Sequence, residues 1–129
     1  MFVCALRPGG EALSRADVFG YIARLERGPD TSLHTLVEGP FAAVATDSPS
    51  RRRPLLARWR NLIGAGDVRL DNRAEIAGLA ELRLQDVASD LELVLAAVDR
   101  IGEACIGRLQ GDFALVIWDA NAQKLLAAR

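Results

Sequence analysis

The chain has 129 residues, of which 50% are hydrophobic and 26% are charged, and its formal net charge is -1. That length is sufficient for one domain with a hydrophobic core of its own. The near-neutral charge excludes a nucleic-acid partner held by bulk positive charge. The sequence has neither a run of about 18 apolar residues nor a basic N-terminal segment followed by a hydrophobic one. We therefore expect a cytoplasmic protein with no membrane partner.

The N-terminal third combines one short strand with one helix. Met1 to Leu6 is an apolar run, and turn residues follow it. Ala16 to Leu25 places apolar side chains at helical spacing behind Ser14, a residue type that caps helix starts. Cys4 and Cys105 both lie among apolar residues, so we expect buried free thiols in a reducing compartment.

The middle of the chain alternates short apolar runs with turn residues, a pattern typical of strands. Asp71 precedes a helical pattern and is predicted to cap that helix. His34 is the only histidine, so neither a histidine metal site nor a histidine proton relay is predicted, and we expect no metal. The apolar runs are Leu33 to Val37, Phe41 to Ala45, Leu55 to Trp59 and Asn61 to Ala65, of which the last two form two strands or a bent hairpin.

The last third has the clearest local signals. Ser89-Asp90-Leu91-Glu92 fits a capping box, in which the serine hydroxyl accepts from the backbone N–H of Glu92. The Glu92 carboxylate is then expected to accept from the N–H of Ser89. A single apolar stripe follows over about three turns, and Gly102 stands where a helix ends. Phe113 to Trp118 is predicted as a buried strand with Lys124 to Ala128 as its hairpin partner.

Four segments together resemble one known family. They are the helix start at Ser89–Glu92, the run Leu109-x-Gly-x-Phe-Ala-x-x-Ile-Trp-Asp119, the turn Arg27-Gly28-Pro29-Asp30 and the stretch from Gly66 to Glu75. The chain resembles the N-terminal glutaminase domain of asparagine synthetases, which is a class II glutamine amidotransferase. Within that group it is most similar to the asparagine-synthetase-like family that includes lasso-peptide cyclases.

The resemblance implies an α+β fold, the Ntn-hydrolase-type (N-terminal-nucleophile) α-β-β-α sandwich of mostly antiparallel strands. Residues 1–129 would then be one type 2 glutamine amidotransferase-like domain. Because the family normally continues beyond Arg129, we expect the sandwich to be C-terminally incomplete. ATP and magnesium would belong to the absent synthetase domain, so no cofactor is expected in this chain. An open sheet edge would remain, through which a homodimer could form.

An active member of the family uses an N-terminal cysteine as nucleophile and its own α-amino group as general base. An asparagine side chain and a glycine N–H hold the oxyanion, and the loss of one such donor lowers the rate by about 10²–10³-fold. Here Phe2 stands at the position of the nucleophile, and Cys4 falls where the family has a strand-buried aliphatic residue. Ala65 replaces the asparagine, Gly66 remains and Asp67 replaces the following glutamate. No arginine lies where the substrate-carboxylate arginine is expected.

Asp90 matches the aspartate that binds the substrate ammonium group, with Ser89 beside it. A carboxylate in the first turn of a helix is also stabilised by the helix dipole, by roughly 0.3–1 kcal/mol. Because the rest of the pocket is missing, the structural role of Asp90 is the favoured interpretation. The resemblance therefore predicts a degenerate domain without a catalytic residue. Its vestigial glutamine pocket consists of Gly66, Asp67, Ser89 and Asp90. We expect a structural or docking part of an ATP-dependent amide-forming enzyme, whose partner is a peptide or the synthetase domain, or glutamine if the pocket works.

Two alternatives stay open. Removal of Met1-Phe2-Val3 would make Cys4 the N-terminal nucleophile of an active glutaminase that supplies ammonia for asparagine synthesis. Against this, Ala65 cannot polarise the oxyanion. The second alternative is a binding module that recognises a leader peptide or a partner subunit through the open sheet edge.

Overall fold

The computed structural model describes residues 1–22, 32–47 and 53–129, which form two β-sheets and their flanking helices. Residues 23–31 lie outside this description, and with them the predicted end of the first helix and the Arg27–Asp30 turn. Two short 3-10 helices, Leu84–Asp86 and Glu103–Arg108, lie on either side of the longest helix. The other elements in chain order are β1 Phe2–Leu6, α1 Arg15–Ile22, β2 Ser32–Glu38, β3 Phe41–Asp47, β4 Leu56–Trp59, β5 Leu62–Leu70, α2 Arg73–Leu79, α3 Asp90–Ile101, β6 Gly111–Asp119 and β7 Lys124–Ala128.

The two sheets are antiparallel throughout and pack face to face. Sheet A has the strand order β1-β3-β2, and sheet B has the order β4-β5-β6-β7. α1 packs on the outer face of sheet A, and α2 and α3 pack on the outer face of sheet B. The layers therefore follow the order helix, sheet, sheet, helix, which confirms the predicted α+β sandwich of mostly antiparallel strands.

The central strand of sheet A explains the uninterrupted apolar run in the middle of the chain. Phe41 and Ala43 face sheet B, whereas Ala42 and Val44 face α1. Successive side chains of a strand point to opposite sides, so a strand that is covered on both faces is apolar at every position. β3 thereby contributes both to the core between the sheets and to the core under α1.

The longest helix is buried more completely than a single apolar stripe predicts. Leu91, Val94 and Leu95 are buried as expected, but Leu93 and Ala97 are buried as well. The reason is that α3 is covered by sheet B on one side and by α2 on another. The longest of the described helices, α3, has only 12 residues. None of the described helices has the length and hydrophobicity of a membrane span.

The two serine caps predicted from the sequence are present. The Ser14 hydroxyl accepts from the backbone N–H of Asp17 at 3.2 Å, and the Ser89 hydroxyl accepts from that of Glu92 at 3.1 Å. The second half of the α3 capping box differs from the prediction, because the Glu92 carboxylate accepts from the backbone N–H of Ala88 and not from that of Ser89. Asp17 does accept from the N–H of Ser14, at 2.8 Å, so α1 has the complete reciprocal arrangement.

The predicted cap of α2 is wrong. Asn72, not Asp71, occupies the cap position, and its side chain makes no cap hydrogen bond. The Asp71 carboxylate instead pairs with Arg69. The Asn72 amide oxygen accepts from the backbone N–H of Gln110 at 3.0 Å. Neither side chain therefore caps α2: Asp71 pairs with Arg69 of β5, and Asn72 bonds to the segment before β6.

β5, the strand that contains Gly66 and Asp67, extends beyond the predicted strand Asn61 to Ala65. β4 and β5 form the expected hairpin, but β5 continues to Leu70, because β6 pairs with it as far as Leu70 and Gly111. Gly66 and Asp67 consequently lie inside a paired strand and not at its end.

Candidate functional site

The four residues of the predicted pocket are distributed over both faces of sheet B. Asp67 is half-buried and, by alternation with the buried Ala65 of the inter-sheet core, faces sheet A. Ser89 and Asp90 begin α3, which packs on the opposite face. Asp90 meets β5 at Leu70, three residues beyond Asp67, which corresponds to roughly 10 Å along a strand. The structure brings Asp90 to the end of β5 and leaves Asp67 on the inner face.

Gly66 is constrained on both sides, by the residue before β4 and by β6. Its backbone N–H donates to the carbonyl oxygen of Leu55 at 2.8 Å. A Cβ atom at this position would lie 2.6 Å from the carbonyl oxygen of Ala114 and 2.7 Å from the Cβ of Leu115. Close approach of β6 therefore accounts for the glycine, and the N–H that the resemblance assigns to an oxyanion already has an acceptor within the fold.

We expect Gly66→Ala to lower the free energy of unfolding by about 1–3 kcal/mol, because β5 and β6 must separate to accommodate the methyl group. Gly78→Ala is the matched control, since Gly78 lies in α2 and its added Cβ would meet nothing within 4 Å. That control should be neutral, or stabilising by up to about 1 kcal/mol. Urea denaturation of both variants measures the difference, and equal stabilities would show that β6 does not constrain Gly66.

Asp90 has both carboxylate oxygens engaged. Oδ2 accepts from the backbone N–H of Leu70 at 2.8 Å, and Oδ1 lies 2.7 Å from Nε of Arg73 in an ion pair. The Asp90 side chain is only 14% exposed, whereas that of Arg73 is 43% exposed. The neighbouring Ser89 hydroxyl accepts from the N–H of Glu92. The carboxylate thus ties the end of β5 to the starts of α2 and α3, and a cation of this chain lies against it.

The two cysteines are free and unreactive in character. Cys4 lies opposite Ala43 in β1, half-buried in the cluster between the sheets. Burial raises the pKa of Cys4 to about 11, and burial likewise raises the pKa of Cys105 to about 11. Both thiols are therefore protonated near neutral pH, and the thiol is the weak form of the nucleophile.

The N-terminal position that the resemblance assigns to the nucleophile is apolar and packed. Phe2 enters the same inter-sheet cluster that contains Ala65, the residue at the asparagine position. Phe2 and Val3 also pair with Ala45 and Val44 of β3. Cleavage before Cys4 would remove those pairings, so an N-terminal Cys4 would begin in the middle of the strand.

The structure contains one cleft that sequence patterns do not indicate. A cleft of about 330 Å³ lies between β2 and β4, the edge strands of the two sheets, and it contains none of the four predicted pocket residues. Arg58, which lines it, pairs with Glu38 of β2 at 2.7 Å. Only the order of strands in the sheets places these side chains together, so no local signal could reveal the cleft. Its remaining lining comes from His34, Thr35, Leu36, Ala45, Pro54, Leu55, Leu56 and Ala57.

Comparison with known proteins gives two kinds of match. Residues 42–129 match the glutamine amidotransferase domain family, a span that runs from β3 to β7. The chain is also similar to the amidase chyE of Penicillium rubens, with 51% identity over 41 residues, and to the amidase chry2 of Gibberella zeae, with 49% identity over 41 residues. Each of these matches covers 32% of this chain but only 6% of the relative.

The family match covers well over half of the chain and includes the whole of sheet B with α2 and α3. Phe2 and Cys4 lie before its first residue. The four-layer arrangement of helices and antiparallel sheets agrees with the fold that the resemblance implied. The chain therefore belongs to the glutamine amidotransferase domain family.

Proposed function

We propose that this glutamine amidotransferase domain is a structural or docking part of an asparagine-synthetase-like, ATP-dependent amide-forming enzyme and does not itself hydrolyse glutamine. The observation that carries the proposal is that the polar groups left in the predicted glutamine pocket are engaged within the fold. The Gly66 N–H donates to Leu55, and the Asp90 carboxylate accepts from Leu70 and pairs with Arg73.

Hydrolysis of the glutamine amide requires a donor aimed at the developing oxyanion. At the two positions that the family uses for this, Ala65 has no side-chain donor and the Gly66 N–H donates to a carbonyl oxygen at 2.8 Å. A tetrahedral intermediate would have to break that hydrogen bond and would gain only one donor in return. This arrangement supports a domain without acyl-transfer chemistry.

Recognition of the amino acid fails for a related reason. The carboxylate that would bind the α-ammonium group already has the Arg73 guanidinium 2.7 Å away, and most of its surface is covered. A substrate ammonium would have to displace this cation and also leave the Leu70 N–H with an acceptor. The same contacts stabilise the junction of β5, α2 and α3, which supports the structural role of Asp90.

The wider context of the proposal follows from the resemblance. Residues 1–129 would be one domain of a protein related to lasso-peptide cyclases, and ATP and magnesium would act in a synthetase domain on another segment. The two curated relatives are named as amidases, which is consistent with amide chemistry in the proteins to which this type of segment belongs. Glutamine, a peptide and the synthetase domain remain the candidate partners.

The test is ammonia release from glutamine by the full-length chain, together with its intact mass from the native host. We expect no ammonia above a protein-free blank and no shift of the melting temperature with glutamine, since neither catalysis nor recognition is supported by the geometry. Cys4→Ser and Cys105→Ser are the paired controls for any residual signal.

Ammonia release that is lost in Cys4→Ser but kept in Cys105→Ser would overturn the proposal. A chain that begins at Cys4 would then identify this thiol as the nucleophile of a processed glutaminase. Glutamine hydrolysis that survives both substitutions would also overturn it, because neither thiol would be required.

A further inference from the structure

The cleft between β2 and β4 contains none of the residues of the predicted glutamine pocket and has a charge pattern of its own. β2 is an edge strand of sheet A and β4 an edge strand of sheet B, and β7 lies at the opposite edge of sheet B. The volume of the cleft is about 330 Å³. Clefts that bind small molecules measure roughly 300–1,000 Å³. The size of this cleft therefore suits one small organic molecule.

Strand pairing shows which side chains of β4 face the cleft. Leu56 pairs with Ala65, and Arg58 pairs with Ile63. Ala65 and Ile63 belong to the core between the sheets, and directly paired residues lie on the same face of a sheet. Leu56 and Arg58 therefore point towards sheet A, and both line the cleft.

β2 forms the opposite wall of the cleft. Leu36 pairs with Ala43 and Glu38 pairs with Phe41. These partners also belong to the core between the sheets, so Leu36 and Glu38 point towards sheet B. Because side chains alternate along a strand, His34 lies on the same face. An imidazole, an apolar side chain and a carboxylate thus follow one another along β2, over roughly 13 Å between the first and the last Cα atom.

One end of the cleft carries a cation and an anion side by side. Nη2 of Arg58 donates to Oε2 of Glu38 at 2.7 Å, and these side chains are 44% and 40% exposed. Among the described residues this contact is the only side-chain hydrogen bond of either group. A guanidinium has five N–H donors, and a carboxylate has about four acceptor sites. Both groups therefore retain hydrogen-bonding capacity for a ligand.

From these observations we infer that the cleft between β2 and β4 binds a free α-amino acid with an apolar or aromatic side chain. The carboxylate of the amino acid accepts from Arg58, and its ammonium group donates to Glu38. Its side chain packs against Leu36 and Leu56. Charge complementarity selects a zwitterion, because a ligand with only a carboxylate would place it beside Glu38, and a ligand with only an ammonium group would place it beside Arg58. The inference adds a ligand site to the domain that is separate from the four residues of the predicted glutamine pocket.

The experiment titrates the full chain with L-phenylalanine, hydrocinnamate and phenethylamine at constant pH. The three compounds share a phenylethyl skeleton and differ in charge, as a zwitterion, an anion and a cation. His34 is the only histidine of the chain and lines the cleft, so its imidazole signals in a proton NMR spectrum report occupancy directly. We expect a saturable shift of these signals with L-phenylalanine. Each analogue should bind roughly tenfold more weakly, since it lacks one charge-assisted hydrogen bond.

Glu38→Gln and Arg58→Gln form a matched pair of variants. Both break the same ion pair, so they share its effect on stability, but they remove opposite charges. We expect Glu38→Gln to bind hydrocinnamate at least as tightly as L-phenylalanine, and Arg58→Gln to show the same change of preference for phenethylamine. A purely structural ion pair would not change the order of the ligands. Arg60→Gln is the control, because Arg60 pairs with Asp99 of α3, and it should bind all three compounds like the unsubstituted chain.

Unchanged His34 signals at millimolar concentrations of all three compounds would overturn the inference. Equal affinities for the three compounds would overturn the assignment of a zwitterion, and equal weakening by Arg58→Gln and Arg60→Gln would overturn the assignment to this cleft. A shift of the His34 signals with protein concentration alone would show that a second copy occupies the cleft and would overturn the amino-acid assignment. Ammonia release from glutamine, measured on the same sample, would overturn the proposed function and leave this inference intact.

Discussion

Trp118→Ala is expected to lower the free energy of unfolding by about 3–5 kcal/mol, the range for removal of a buried aromatic side chain. Trp118 is 2% exposed and lies between the sheets. Its ring stacks on Phe41 of β3 with centroids 5.8 Å apart and an interplanar angle of 12°. The substitution removes this stacked contact between the two sheets and leaves a cavity in the core.

Trp118→Phe distinguishes the contribution of ring packing from the effect of the indole N–H. The indole Nε1 is buried without a hydrogen-bond partner among the described residues, so phenylalanine removes an unsatisfied donor while it keeps a ring against Phe41. We expect a loss below about 1.5 kcal/mol, because the smaller cavity is partly offset by the absence of that donor. Urea denaturation monitored by circular dichroism measures both variants. A Trp118→Ala loss below about 1 kcal/mol would contradict a tightly packed inter-sheet core.

Asp90→Ala is expected to lower the free energy of unfolding by about 2–4 kcal/mol. The substitution leaves the Leu70 N–H without its acceptor and the Arg73 guanidinium without its counter-ion. It also removes a carboxylate from the first turn of α3. Because the Asp90 side chain connects β5, α2 and α3, no single neighbouring side chain can supply all of its contacts.

Comparison with Arg73→Ala and Asp90→Asn distinguishes the two contacts. Arg73 is 43% exposed, so its removal should lower stability by less than about 1 kcal/mol, the usual range for a solvent-exposed ion pair. Asn at position 90 keeps an oxygen for the Leu70 N–H and should fall between the other two variants. If Arg73→Ala and Asp90→Ala destabilise the protein equally, the ion pair and not the Leu70 hydrogen bond dominates. A rise of melting temperature on addition of glutamine to Arg73→Ala would show that Arg73 blocks an otherwise competent ammonium site.

Local signals predicted those features that neighbouring residues decide. Ser14 and Ser89 cap their helices as expected, and Gly102 ends α3 with a φ of +78°. The two strands before and after Gly39-Pro40 form as predicted, and so does the hairpin at the turn before Lys124. These features depend on residues a few positions apart, whose backbone preferences are readable without the rest of the fold.

Predictions failed where another residue competes for a side chain or where a distant segment extends or covers an element. The Asp71 carboxylate pairs with Arg69, two residues earlier, and does not cap α2; Asn72, at the cap position, bonds instead to the segment before β6. The extent of β5 was underestimated because β6, more than 40 residues away at Leu70 and Gly111, sustains the pairing. The buried faces of α3 were underestimated because α2 covers one of them.

By itself, the sequence determined which chemical groups are present: a phenylalanine and not a cysteine at position 2, an alanine at position 65, and a serine-aspartate helix start at position 89. These are matters of residue identity, which no fold can alter. Only the tertiary structure decided what the remaining groups do. The acceptor of the Gly66 N–H is Leu55, and the donor to Asp90 is Leu70, each supplied by a segment that sheet pairing or helix packing brings into contact. The order of strands likewise decided that β1 lies beside β3 in sheet A, with no second partner among the described strands, because hydrogen-bond partners in a sheet are set by topology and not by proximity in the chain.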